Sequence, residues 1–192
     1  MSTKDTTVTA FDGDHLLASG PLAEIALAVK KAGRARQISI FEDASGRAID
    51  IDTRGSDQDV VERLAHTHPD LVEGEGPRGP GRPMLGGVAR EITLLPRHWD
   101  WLNAQPGGAS VMLRKLVDEA RRSDKARVAS ARDATWRFMS AMAGDRPHFE
   151  DAARALYAGE RKEFERMIAR WPVDIRNHAR KLATGAFTDK AV

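Results

Sequence analysis

The stretch from Arg90 to Arg122, REITLLPRHWDWLNAQPGGASVMLRKLVDEARR, most constrains what this chain can fold into. Glu91 to Leu95 alternates polar and apolar side chains, as a short strand does. Pro96 then stands at the first helical position, where its missing N–H costs nothing. Gln105-Pro106-Gly107-Gly108 turns the chain, and a second helix follows. A single strand leaves its own N–H and C=O groups unpaired along both edges. Two helices after it cannot pair them. The segment therefore calls for a second copy of itself.

The expected register follows from the period of two. Ile92 and Leu94 point inward beneath the helices. Glu91 and Thr93 face outward, with Ala89 behind them and Leu95 on the same side. A slip of one residue would turn Arg90 outward but would expose Ile92 and Leu94 too. Trp99, Leu102 and Trp101 form the buried face of the first helix. Val111, Leu113 or Met112, Leu116, Val117 and Ala120 form that of the second, which Ser110 caps. This order resembles the ribbon-helix-helix repressors, in which two chains pair their strands and lay the ribbon in the DNA major groove. The resemblance implies a homodimer with double-stranded DNA as partner. Thr93 would touch base edges, with Glu91 beside it able to accept from a cytosine amino group. The amides at Ser110 and Val111 would hold a phosphate, and Arg90, Arg97 and Arg114 would contact the backbone. A glutamate beside phosphates speaks against this. The alternative is a protein-interaction or scaffold protein that uses the segment only to dimerise.

The net charge of +2 hides a split. Residues 1–80 carry 9 Lys and Arg against 14 Asp and Glu, and residues 81–192 carry 21 against 14. A basic C-terminal portion suits a polyanion, although solvated surface explains it equally well. With no cysteine, disulfides, thiol catalysis and cysteine metal sites are excluded, and a cytoplasmic location is the default expectation. No apolar run reaches the length of a membrane span, and no signal segment is visible at the N-terminus.

The expected fold class is α+β in three parts. Residues 1–65 read as an α+β module. Strand candidates Thr7 to Phe11 and His15 to Ala18 precede a helix that Pro21 opens and Gly33 closes. Gln37 to Phe41 and Ala48 to Asp52 follow as strands, and Ser56 caps a helix through Val60, Val61 and Leu64. Phe11 and Phe41 hold matching places in this strand-strand-helix repeat, which suggests an internal duplication. Residues 66–83, rich in Gly, Pro and charge, read as a linker. Residues 84–123 are the ribbon-helix-helix-like segment. Residues 124–187 read as an all-helical module. Its expected core holds Val128, Ala131, Met139 and Met142 with the aromatics Trp136, Phe138, Tyr157, Phe164 and Trp171.

Other constellations are weaker. His66, His68 and Asp70 have a metal-ligand spacing but lie in the expected linker, so solvated polar residues are the better reading. Asp50 and Asp52 share a strand face near Glu42 and Asp43, a pattern more often the wet side of a sheet than a Mg²⁺ or acid–base site. EGEGPRGPGRP lacks the lysine and hydroxyl of a phosphate loop. Arg78 and Arg82 within it read as plain linker before a DNA-tracking arm. No catalytic grouping, cofactor site or metal site emerges, so the expectation is a non-enzyme. An unidentified protein partner or small effector would act through the terminal modules.

The phrases GRPMLGGVAREITLLPRHWDWL, AGDRPHFEDAARALYAG and RWPVDIRNHARKLA resemble an uncharacterised bacterial family, a domain of unknown function. The resemblance runs from about Thr7 to Phe187. It implies no activity, cofactor or site. The resulting expectation is a dimeric DNA-binding protein acting as a transcriptional regulator.

Overall fold

Alternation decides the first structural layer. In the computed structural model, which describes residues 7–33, 37–72 and 90–187, β1 (Val8–Asp12), β2 (His15–Gly20) and β3 (Ile38–Glu42) form an antiparallel sheet ordered β2-β1-β3. Ala10 pairs with Ala18 on one side and Ile40 on the other. The expected fourth strand, Ala48 to Asp52, is reduced to one bridge between Phe41 and Ala48. Two backbone bonds flank it, Glu42 N–H to Arg47 O at 2.9 Å and Ile49 N–H to Ile40 O at 2.8 Å. The two suspected repeats thus meet through β1 and β3, with the Phe11 and Phe41 rings edge to face at 6.3 Å.

Each face of this sheet has its own helical cover. On one face Val8, Ala10 and Ile40 pack with Leu22, Ile25 and Ala26 of α1 (Leu22–Ala32) and Val60 and Leu64 of α2 (Asp57–Thr67). Ser56 caps α2 as expected. Its hydroxyl accepts from Asp59 N–H at 3.2 Å, and the Asp59 carboxylate accepts from Ser56 N–H at 2.7 Å. That reciprocal pair satisfies two of the free amides at the helix start.

On the other face, Phe11 and Phe41 enter a core built by the C-terminal helices. These are α6 (Asp124–Ala143), α7 (Phe149–Ala158), α8 (Arg161–Met167) with a 3₁₀ turn at Ile168–Arg170, and α9 (Val173–Ala183). Phe138 of α6 lies 5.4 Å from the Phe11 ring and 5.1 Å from the Phe41 ring. Burying each such phenylalanine stabilises the fold by about 1.5–3 kcal/mol. The N-terminal strands and the C-terminal helices therefore share one core. The chain up to residue 74 and from residue 127 onward forms one compact unit, and residues 75–126 form a second. Separate modules at 1–65 and 124–187 do not describe this molecule. The physical reason lies in β1, where Val8, Thr9, Ala10 and Phe11 are all fully buried. A strand buried on both faces needs cover from two directions.

Three further expectations are corrected. Trp136 and Tyr157 are 43% and 46% exposed. The buried side of α6 carries Ala134, Thr135, Phe138, Met139 and Ala143, and Trp136 falls between those rows. Tyr157 directs its hydroxyl to Asp133 at 3.1 Å. The linker does not begin at His66: α2 runs to Thr67, and a helical turn, α3 (Pro69–Val72), follows. The rest of the expected linker, with Arg78 and Arg82, and Ala89 lie outside the described residues. No helix among the described residues is long and apolar enough to cross a membrane.

Candidate functional site

In the second unit, Pro96 starts α4 (Pro96–Asn103) as the sequence predicts. After the Gly-Gly turn, α5 (Gly108–Arg122) packs on α4. Its cap is Gly107, not Ser110. Gly107 sits at φ +90, and a Cβ there would press to 3.1 Å from the Val111 side chain, so only glycine suits the position. Ser110 lies in the first turn of α5 instead, and its carbonyl accepts from Arg114 Nε at 3.1 Å. Residues 90–95 have no regular secondary structure in the single chain. Arg90, Glu91, Thr93, Arg97, Ser110 and Arg114 are all exposed, and Val111 is half-buried.

The apolar side chains of this segment find little cover within the chain. From Arg90 to Arg122, Leu102 is the one buried residue. Ile92 is 50% exposed, Leu95 49%, Trp101 49%, Leu116 37% and Val117 54%. Leu94 and Trp99 are half-buried. The 15-residue α5 buries no residue fully. A helix with an apolar stripe normally turns it into a core.

In the first unit the structure assembles a polar cluster that the sequence reading passed over. Asp43, after β3, is 11% exposed at its side chain and is met from two elements. Thr9 Oγ1 on β1 donates to its Oδ1 at 2.8 Å. Lys181 Nζ on α9 donates to its Oδ2 at 2.7 Å. His178 Nε2 stands 3.4 Å from Oδ1 without hydrogen-bond geometry, and is buried with no other partner. Ser19 Oγ lies 2.9 Å from Thr9 Oγ1. Because Thr9 gives its proton to a carboxylate, Ser19 is the donor to Thr9. The His178 ring packs 5.3 Å from Phe11 and 4.6 Å from Phe138. The sequence signal was faint, since Asp43 and His178 lie 135 positions apart in the chain. Only the odd pairing of Thr9 with Phe11 on one strand face hinted at it.

Burial holds the His178 imidazole down at about 4 from its usual 6.5; the Asp43 charge raises it and that of Lys181 lowers it further. The folded state therefore keeps His178 neutral at pH values where the unfolded chain protonates it. The unfolded state binds more protons, so stability falls as pH drops through about 6.5 toward about 4. Between pH 7 and pH 5 the expected loss is about 2 kcal/mol. His178→Gln should flatten this part of the profile, read from urea midpoints at the two pH values. An equal pH dependence in the variant would assign the loss to other groups.

His66 is in α2, and His68 Nε2 lies 3.3 Å from Asp50 O. Among the described residues no group of three or more histidines and carboxylates could hold a metal ion. Asp52 accepts from Arg54 Nε at 2.8 Å and from its terminal nitrogen at 2.6 Å, with Arg63 at 3.5 Å. Hydrogen bonds from Arg54 hold its carboxyl far below the usual range, so Asp52 anchors arginines. Glu42 takes the Ser45 hydroxyl within its own turn.

These features define an α+β protein: a three-stranded antiparallel sheet covered by helices on both faces, and a separate helical pair. The chain belongs to a family of uncharacterised proteins conserved in bacteria, DUF2239, whose model matches residues 7–183. The family resemblance and the α+β class expected from sequence are both borne out. No curated protein and no solved structure matches the chain.

Proposed function

We propose that the chain is a dimeric DNA-binding protein of ribbon-helix-helix type and acts as a transcriptional regulator. One observation carries the reading: the segment from Arg90 to Arg122 exposes Ile92, Leu95, Trp101, Leu116 and Val117 while burying only Leu102. A segment without regular secondary structure beside an uncovered helical pair would be stabilised if a second copy supplied both a strand partner and an apolar surface. The segment carries Arg90, Arg97, Arg114, Lys115, Arg121 and Arg122 against Glu91, Asp100, Asp118 and Glu119, an excess of two positive charges that suits a phosphate backbone.

Val117→Lys tests the dimer without threatening the single chain, because Val117 is already 54% exposed there. Sedimentation should show a dimer for the unaltered protein. The variant should dimerise about 100-fold more weakly, since the new charge would be buried at roughly 3 kcal/mol. Anisotropy titration with a random duplex should show binding that weakens with salt. Arg97→Ala should lower the salt slope by about one unit at every sequence. Thr93→Ala should alter sequence preference more than overall affinity. A dimer with no duplex binding at low salt would replace the regulator with a scaffold protein. A monomer at micromolar concentration would remove both.

A further inference from the structure

Members of the polar cluster, Thr9, Ser19, His178 and Lys181, line a cleft between β2 and α9. Its walls are Leu16 and Ser19 from β2 and Asp174, Asn177, His178 and Lys181 from α9, with Thr9 beneath. Asp174, Asn177, His178 and Lys181 follow the spacing that places side chains along one helix face. Asp174 and Lys181 therefore stand at opposite ends of it, about 10 Å apart along the axis. Each end holds a charge with spare hydrogen-bonding capacity. Asp174 Oδ2 accepts from the outward amide of Leu16 at 2.9 Å, which fixes the carboxylate and leaves its other oxygen available. Lys181 Nζ spends one N–H on Asp43, which holds the ammonium in place and leaves two donors. Asn177 lies between them with an exposed carboxamide.

The cluster beneath is an expensive one to build. Among the described residues three polar or charged residues are buried, and Thr9 and His178 are two of them. Well-packed apolar residues would serve stability as well or better. Thr9 hydrogen-bonds Asp43, which in turn holds Lys181 in one position. Preorganising a charged group in this way lowers the cost of binding a ligand.

We infer that this cleft binds a small zwitterion, with its carboxylate at Lys181 and Asn177 and its ammonium at Asp174. A plain anion would meet Asp174, and a plain cation would meet Lys181, so only a molecule charged at both ends satisfies both walls. The cleft volume of about 200 Å³ leaves room for a molecule as small as a short ω-amino acid. This inference is independent of DNA binding, and its test uses no DNA.

The probe is 4-aminobutyrate, titrated into the full chain and followed by the His178 ring and Asn177 carboxamide NMR signals. Saturable shifts are expected. Butyrate and butylamine, each lacking one charge, should bind at least about tenfold more weakly. Asp174→Asn keeps the acceptor for Leu16 N–H and removes the charge, and Lys181→Gln keeps an N–H donor on the Asp43 side and removes the charge there. Each should weaken 4-aminobutyrate about tenfold or more while leaving butyrate or butylamine, respectively, no worse off. Unchanged far-UV spectra establish that the variants fold. No saturable shift at tens of millimolar overturns the inference, as does equal binding of the one-charged compounds or undiminished binding by either variant.

Discussion

Gly46→Ala is expected to cost the protein its stable fold. Gly46 closes the turn after β3 at φ +66, and a Cβ there would lie 1.9 Å from the carbonyl oxygen of Ala134 and 2.8 Å from its Cα. Both atoms belong to the backbone of α6, so no rotamer change relieves the contact. The helix must move away from the sheet, and with it Phe138 from its place against Phe11 and Phe41. The left-handed backbone alone costs an alanine about 1–2 kcal/mol, and the displaced packing should raise the total above roughly 4 kcal/mol. Gly13→Ala is the matched control. Gly13 also has positive φ, +57, but open space surrounds its missing side chain. It should lose only the backbone cost, about 1–2 kcal/mol. Urea unfolding of the two variants measures the difference, and equal losses would show that the close approach of turn and helix does not matter.

The second large effect concerns the N-terminal segment by itself. A fragment of residues 1–72 should lack a cooperative unfolding transition and should bind a hydrophobic dye. It retains the layer of α1 and α2, but it strips the C-terminal helices from Phe11 and Phe41, which are 0% and 1% exposed in the whole chain. It also leaves Asp43 without Lys181 and His178. Secondary structure without fixed packing is the expected outcome. A sharp urea transition in the fragment would mean that one face of the sheet suffices to stabilise it. The shared core would then be a docking of two folded pieces.

Local chemistry made much of this fold readable in the residues themselves. Pro21 and Gly33 bracket α1, Ser56 caps α2, and Pro96 opens α4, because each acts on backbone groups within a few positions of itself. Elements that depend on distant partners were harder to read. Ala48 to Asp52 alternates like a strand, yet pairing beyond Phe41 and Ala48 did not form. Trp136 suits a helical core by composition, yet it falls off the face of α6 that meets the sheet. Ser110 looks like a cap, but the left-handed conformation at Gly107 already ends the turn.

The candidate sites divide the same way. The apolar surplus in the segment from Arg90 to Arg122 was legible because it is a property of composition and period. The structure leaves that surplus uncovered in the single chain. The cleft over Asp43 was not legible. Its members come from β1, β2 and α9, and only Thr9 on the Phe11 face of β1 hinted at them.

By itself, then, the sequence determined most of the helices, the three strands of the sheet, the Ser56 cap and the proline helix starts, and with them the α+β class. These elements are fixed by interactions between residues close in the chain. Only the tertiary structure decided that the first strands and the last helices share a core, and that Thr9, Asp43, His178 and Lys181 meet. A strand's period of two says which side chains share a face, but it does not say what will cover that face. The cover here begins more than eighty residues after the sheet ends, and burial of Phe11, Phe41 and Phe138 against one another joins the two.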